Sequence, residues 1–461
     1  MSKLKTIFIC QSCGSTSPKW VGKCTSCGSW NSFVEEIVQS SNKNNSFAPV
    51  IQTSSLILSE IPVRNEQRID TGNNELNRVL GGGLVSGSLV LLGGEPGIGK
   101  STLLLQTVFL LNSKKCLYIS GEESLSQIKL RAERLGYTES NCRFLTETNI
   151  EVIIAHVEQS KPEVVIIDSI QTVQTDKIES SAGSVTQIRE CTASLLKIAK
   201  TNHISFILVG HITKDGGIAG PKILEHTVDV VLQFEGDTNY QYRVVRSIKN
   251  RFGSTSEIGI FEMCSNGLKE VSNPSEMLIS GNIENLSGVA IASTIEGVRP
   301  ILVEVQSLVS SAAYGMPQRT SNGFDTRRLN MLLAVLEKRA GFKLATKDVF
   351  LNIAGGLKII DPALDLAIIV AVLSSNFDLF VDKKICFAAE IGLTGEVRAV
   401  NRIEQRISEA EKLGFNEIFV SIHSKKSLSA YKGNIKIHFA GKIEDVFYKI
   451  FKKNKDSGGN S

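Results

Sequence analysis

Hydrophobic and polar positions follow different periods in successive stretches of the chain. From about Ile51 to Val271, short β-branched runs alternate with segments of helical spacing: SLVLLGG (88–94), KKCLYIS (114–120), EVVIIDS (163–169), ISFILVG (204–210) and TVDVVLQFE (227–235). Apolar runs this short, bounded by turn residues, read as buried strands. Strands separated by helices predict βαβ units and a mostly parallel sheet. Most of the runs end in small or polar residues, which predicts ligands at the carboxyl ends of the strands. Beyond SNPSEMLISGN (272–282), strands (ILVEVQSLV, KICFAAEIG, EIFVSIH) mix with helices (RRLNMLLAVLEKRA, NRIEQRISEAEKLG) in an α+β pattern, and no internal repeat is evident.

Length and composition bound this picture. At roughly 150 residues per domain, 461 residues predict two to four domains. The pattern divides them into a cysteine-rich segment at 1–38, a polar linker at 39–55 containing SSNKNNSFAP, a core at 56–271, a second linker at 272–284, a C-terminal domain at 285–450 and a tail at 451–461 expected to be disordered. Hydrophobic residues make up 42% and charged residues 21%, which excludes wholesale disorder. The best membrane candidate, Leu366–Leu373, is eight residues long and follows Asp365, whereas a span needs roughly 20. The start, MSKLKTIFIC, lacks the form of a secretory leader, so a cytoplasmic protein is expected. Net charge is +4, too small to establish a nucleic-acid partner and too evenly balanced to exclude one.

Cysteine changes the picture. Four of the nine, Cys10, Cys13, Cys24 and Cys27, form two C-x-x-C pairs separated by ten residues. In a reducing compartment such a cluster points to metal, not disulfides. Two C-x-x-C turns present four thiolates to one tetrahedral zinc ion, and four ligands leave no open position, so the zinc is structural. Gly14 and Gly28 follow each pair where the backbone must curl back. So small a segment needs the metal to fold. Trp20 and Trp30 are expected to supply a small apolar core, the alternative being contact, together with Lys19 and Lys23, with a nucleic acid or a protein.

The segment Gly94-Glu95-Pro96-Gly97-Ile98-Gly99-Lys100-Ser101 satisfies G-x-x-x-x-G-K-[ST], with a strand leading in and the helix STLLLQTVFLLN leading out. Its backbone N–H groups converge on phosphates, Lys100 adds a point charge, and Ser101 ligates Mg²⁺. The ATP-binding set extends to Thr102. Asp168 closes the strand VVIID, where it holds Mg²⁺ beside Ser101 or caps the next turn. Glu122 and Glu123 follow KKCLYIS; Glu122 is preferred as the group that activates water, with Glu123 the alternative. His211, after ISFILVG, is expected to sense the γ-phosphate, against a purely structural reading. Lys249 and Arg251 flank Asn250 beyond the strand YRVVRSI; position alone does not separate a role from a solvated edge.

Taken together, the four cysteines, GGEPGIGKST, YISGEES, VVIIDSIQT, VGHITKDG and KNRFG resemble the bacterial DNA repair protein RadA (Sms) family across residues 1–450. The resemblance implies a zinc ribbon, a RecA-like P-loop ATPase core and a Lon-protease-like C-terminal domain. It also implies a hexameric ring that hydrolyses ATP in response to single-stranded and branched DNA and promotes branch migration alongside the RecA recombinase. Lys249 and Arg251 then look like residues reaching a neighbouring subunit's ATP. The loops QTVQTDKIESSAGS and TKDGGIAGPK, with Lys177 and Lys214, look similar to the DNA-facing loops of RecA-type rings.

The C-terminal domain departs from a working Lon protease. A Lon-type site needs a serine activated by a lysine, but Ala363 and Glu404 stand at the matching positions of DPALD and GEVRAVNRIEQR. This argues against an ATP-dependent protease. Residues 314–347 carry seven basic side chains, among them Arg327, Arg328, Lys343 and Lys347, against two acidic ones. Such a local excess predicts salt-sensitive DNA binding, the alternative being a solvated face. A third reading, a nucleotide-switched DNA-binding scaffold with little turnover, is disfavoured by Glu122, Lys249 and Arg251.

Overall fold

A computed structural model describes residues 4–10, 14–39, 57, 67–211, 223–236, 241–279, 286–312, 316–356 and 358–451. The chain divides into two compact units, Met1–Glu235 with Arg243–Glu270, and Gly236–Tyr242 with Val271–Ser461. Among the described residues, no helix is long and apolar enough to cross a membrane.

The N-terminal segment is a three-stranded antiparallel ribbon, with Leu4–Cys10 between Thr16–Ser17 and Phe33–Gln39. Its interior is Cys10, Cys24 and Phe33, with Phe8 packed against them. The tryptophans do not join this interior. Trp20 is 53% and Trp30 69% exposed, which corrects the expectation that they form the core. Sulfur atoms and one phenylalanine already fill the space that so short a ribbon encloses.

The rest of the first unit is built on a nine-stranded sheet. Its order is 267–270, 258–264, 242–250, 230–235, 89–94, 205–211, 164–168, 116–120 and 143–146. The six strands from 230–235 to 143–146 run parallel. Each residue of Leu89–Gly94, Cys116–Ser120 and Val164–Asp168 is buried, as a parallel sheet covered on both faces requires. Successive side chains alternate between faces. Val90, Leu92, Tyr118 and Ile166 share one apolar cluster with the helix Lys100–Leu110. Leu89, Leu91, Ile119 and Ile167 share the other with the helices Ile150–Ser160 and Val185–Asn202. Side-chain caps fix where helices begin: Asn149, Ser184 and, in a capping box with Gln127, Ser124. Each is worth about 1 kcal/mol.

The second unit carries a seven-stranded sheet in the order 319–322, 347–353, 299–311, 289–296, 385–388, 417–421 and 436–440. The helix Asp365–Phe377 is buried from Asp365 through Ser374, which explains why its sequence is so uniformly apolar. Two of this unit's ion pairs reach into its interior. Arg406 Nη1 lies 2.6 Å from Asp361 Oδ2, which also accepts the Ile295 N–H and the Thr294 hydroxyl. Arg328 grips the fully buried Asp365 with two bonds, Nε to Oδ1 at 2.8 Å and Nη2 to Oδ2 at 2.6 Å. The guanidinium of Arg328, expected to contact DNA, is thus engaged inside the domain by a carboxylate that would otherwise be buried without a counter-charge. Ala363 is fully buried between these two aspartates in sequence, and Glu404 is exposed. Neither the serine nor the lysine of a Ser–Lys dyad stands at these positions.

Removing one partner of a buried pair strands the other charge at a cost of about 3–5 kcal/mol. Arg328→Ala should therefore lower the urea midpoint of the C-terminal domain by that equivalent. A loss below about 1 kcal/mol, the scale of an exposed pair, would contradict the assignment.

Candidate nucleotide and metal sites

The parallel register gathers chemistry at one sheet edge. Gly94 pairs with His211 across the central strands, Leu208 with Ile167, and Ser120 with Asp168. Their carboxyl ends open onto a cleft of about 360 Å³ lined by the phosphate loop, Glu122, Glu123, Asp168 and His211. The loop's Gly99 caps the helix Lys100–Leu110 at φ 118°, and a Cβ there would lie 2.8 Å from Met263. Only glycine suits that conformation. Glu95, Pro96 and Gly97 are exposed, Ile98 anchors the loop in the core, and Ser101 and Thr102 are half-buried.

Lys100 is the focus of the cleft. It is 4% exposed, and its ammonium donates to Gly94 O at 2.7 Å and Glu95 O at 2.8 Å. Burial lowers its pKa, against the attraction of Asp168, Glu122 and Glu95. His211 bridges the cleft, with Nδ1 3.4 Å from Lys100 Nζ and Nε2 3.2 Å from Glu122 Oε1. Burial alone would push the Glu122 carboxyl up, but hydrogen bonds from Ser169 and His211 outweigh it and hold it below the usual carboxylate range. Glu123 differs: burial raises it, and its carboxylate is paired with Arg131. The buried Tyr118 hydroxyl donates to Asp168 Oδ2 at 2.7 Å and fixes that carboxylate. An array of loop N–H groups, a lysine and a carboxylate beside Ser101 suits a nucleoside triphosphate with Mg²⁺.

Lys249 and Arg251 do not line this cleft. Lys249 Nζ donates to Glu225 O and Val228 O, each at 2.7 Å, and to His226 O at 3.3 Å. Burial, then the neighbouring Arg251, depresses its pKa. Arg251 Nη1 is 3.8 Å from Asp229 and remains 58% exposed. Lys177 is exposed and 3.1 Å from Glu151. Arg327 and Lys343 are exposed, while Lys347 donates to Ser311. Lys214 lies outside the described residues, as does Cys13.

Sequence reasoning missed Ser169, Tyr118, Arg131 and Arg134, of which the two arginines line the cleft. One signal was legible. The S-x-x-Q box at Ser124 fixes the helix start, and it places Arg131 and Arg134 three apart on one face, close behind Glu122 and Glu123.

In the ribbon the two cysteine knuckles repeat one backbone pattern. Gly14 N donates to Cys10 O and Gly28 N to Cys24 O, both at 2.8 Å, with Gly14 and Gly28 at φ 72° and 77°. The sulfurs of Cys10, Cys24 and Cys27 lie within 4.8 Å of one another, and Cys10 and Cys27 are 3.7 Å apart. Tetrahedral zinc with bonds of about 2.3 Å sets sulfurs roughly 3.8 Å apart, so these residues fit the ion. Ser32 Oγ is 3.1 Å from Cys10 Sγ and supplies a neighbouring polar contact.

The chain is similar to known proteins in each of its parts. Family models match at residues 8–35 (rubredoxin metal binding domain), 59–217 (AAA domain) and 308–424 (subunit ChlI of Mg-chelatase). The chain is 51% identical to DNA repair protein RadA of Bacillus subtilis, covering 91% of this chain and 93% of that protein. It is 50% identical to DNA repair protein RadA of Listeria monocytogenes, covering 91% and 92%. A solved KaiC-like protein of Pyrococcus horikoshii is 19% identical, with a TM-score of 0.37 over 45% of this chain and 99% of that one.

Cys24→Ser should release zinc and expose the ribbon to proteolysis while nucleotide affinity stays intact. Unchanged metal content in the purified variant would contradict the ligand set.

Proposed function

Because the chain belongs to the DNA repair protein RadA family, whose P-loop domain is an ATPase fold, we propose that it is a DNA-dependent motor that promotes branch migration of recombination intermediates. The observation that carries this reading is the convergence of Lys100, Glu122, Asp168 and His211 on one cleft. A scaffold that merely bound nucleotide would need the phosphate loop alone.

The roles follow from chemistry. Backbone N–H groups from Gly97 to Thr102 and the ammonium of Lys100 cradle the phosphates. Ser101 and Asp168 hold Mg²⁺, which when bound neutralises charge on the phosphate oxygens. Glu122, kept ionised by Ser169 and His211, orients the attacking water and accepts its proton. Glu123 is unavailable for that step because Arg131 engages it. His211 touches both Lys100 and Glu122 and immediately precedes the loop TKDGGIAGPK. It therefore passes the state of the γ-phosphate to Lys214, and Lys177 sits on the companion loop.

Lys249 and Arg251 lie outside their own cleft, as residues serving a neighbouring copy must. From there they stabilise charge developing on the γ-phosphate, so turnover depends on assembly into a hexameric ring. In this reading the division into 1–38, 56–271 and 285–450 gives a zinc ribbon, a motor and a protease-like fold reused for DNA binding. Arg327, Lys343 and Lys347 supply the phosphate contacts of the third part. The substrates are single-stranded and branched DNA, handled together with the RecA recombinase in the cytoplasm.

ATP turnover should rise strongly on addition of single-stranded DNA, and Lys100→Ala should abolish it. A rate indifferent to DNA would favour the scaffold. Lys249→Ala should bind ATP but turn it over slowly and should regain activity in mixed rings with Lys100→Ala chains. Normal turnover by the pure Lys249→Ala protein would remove its role.

A further inference from the structure

We propose that the zinc ribbon is itself a single-stranded polynucleotide-binding surface, with bases stacking on Trp20 and Trp30 and phosphates meeting Lys19 and Lys23. The inference rests on the DNA-directed reading above and deepens it by naming a contact surface that the motor chemistry does not use.

The ribbon's interior is closed without its largest side chains. Trp20 and Trp30 are 53% and 69% exposed, and Val21 between the knuckles is 39% exposed. An isolated exposed apolar residue needs no explanation, but a cluster of them does. The two indoles belong to one small hairpin. Lys23 and Trp30 are bridged antiparallel, and the Asn31 N–H donates to Gly22 O at 2.7 Å. The edge of the Trp20 ring lies 3.6 Å from where a Cβ on Gly22 would sit, so it covers that glycine. The Lys23 ammonium is 5.4 Å from the centroid of the Trp30 ring.

The charged side chains beside the indoles, Lys19 and Lys23, favour an anionic ligand. Residues 1–34 contain four lysines and no Asp or Glu, the first acid being Glu35. Zinc held by four thiolates is itself negative, and with Glu35 and Glu36 on the last strand it offsets the four lysines, so the ribbon as a whole is near neutral. Affinity then comes chiefly from stacking, to which every base contributes a face, with the lysines tracking the backbone. A duplex buries its base faces, which restricts the ligand to single strands. The ribbon thus gives a grip on unpaired DNA that is independent of sequence and of nucleotide state.

The two tryptophans are the only ones in the chain, so tryptophan emission of the full-length protein, excited where tyrosine does not absorb, reports this surface alone. An oligo-dT strand should quench that emission in step with binding measured by anisotropy. The double variant W20A/W30A should bind the strand at least about tenfold more weakly, with zinc content and DNA-free ATP turnover unchanged. Its counterpart W20F/W30F should retain most of the affinity. K19A/K23A should flatten the salt dependence by roughly one to one and a half in log–log slope. Unquenched emission at strand concentrations that fully stimulate ATP turnover would overturn the proposal and leave the indoles to a protein partner or to solvent. That wild-type result stands even if a variant fails to fold. Loss of both quenching and stimulation would instead bring down the DNA-dependent reading on which the inference rests.

Discussion

A lysine ammonium held out of water is the constraint around which the ATPase unit is organised. Lys100 is nearly inaccessible, and its charge is offset by two carbonyls of its own loop and by the fields of Asp168 and Glu122. A buried charge is tolerated only when it is paired and hydrogen-bonded. The supporting groups arrive from the carboxyl ends of three parallel strands, 89–94, 116–120 and 164–168, so the sheet register is part of the site. A slip of one residue in Val164–Asp168 would turn Asp168 to the opposite face. Tyr118, reaching Asp168 from the next strand, pins that register with a buried hydrogen bond.

The same problem of enclosing polar chemistry is solved differently in each part of the chain. The central parallel strands of the ATPase sheet are apolar on both faces and gather charge at their carboxyl ends. In the ribbon, too small for such a core, cysteine sulfurs take the place of most apolar side chains, and its tryptophans are released to the surface. The C-terminal domain encloses ion pairs instead. Asp361–Arg406 and Asp365–Arg328 bracket the buried Ala363, where a protease of related fold would place its nucleophile. Those pairs make the segment a rigid structural corner with no reactive group on it.

Much of this was legible in the residues themselves. Short β-branched runs located the strands of the parallel sheet, because both faces of each strand had to be apolar. The phosphate loop, Asp168 and the cysteine pairs were legible because their chemistry fixes both residue type and spacing. What escaped was set by three-dimensional neighbours. The antiparallel strands Ile258–Cys264 and Gly267–Glu270 carry no strong alternation, since neighbouring strands and helices decide their burial. Arg328 looked like part of a basic patch because Asp365, its partner, lies 37 residues further along the chain. The tryptophans looked like core because composition reports how apolar a side chain is, not whether there is room for it. Ser169 and His211 acquire their relation to Glu122 only through the sheet.

The central claim is that ATP turnover is completed between neighbouring chains and not within one. Its most direct test is ATP turnover per chain, in the presence of single-stranded DNA, recorded against protein concentration with particle mass measured on the same samples. The account predicts that turnover per chain climbs as single chains give way to rings, with the rise tracking ring mass. Full turnover by particles of single-chain mass would contradict it.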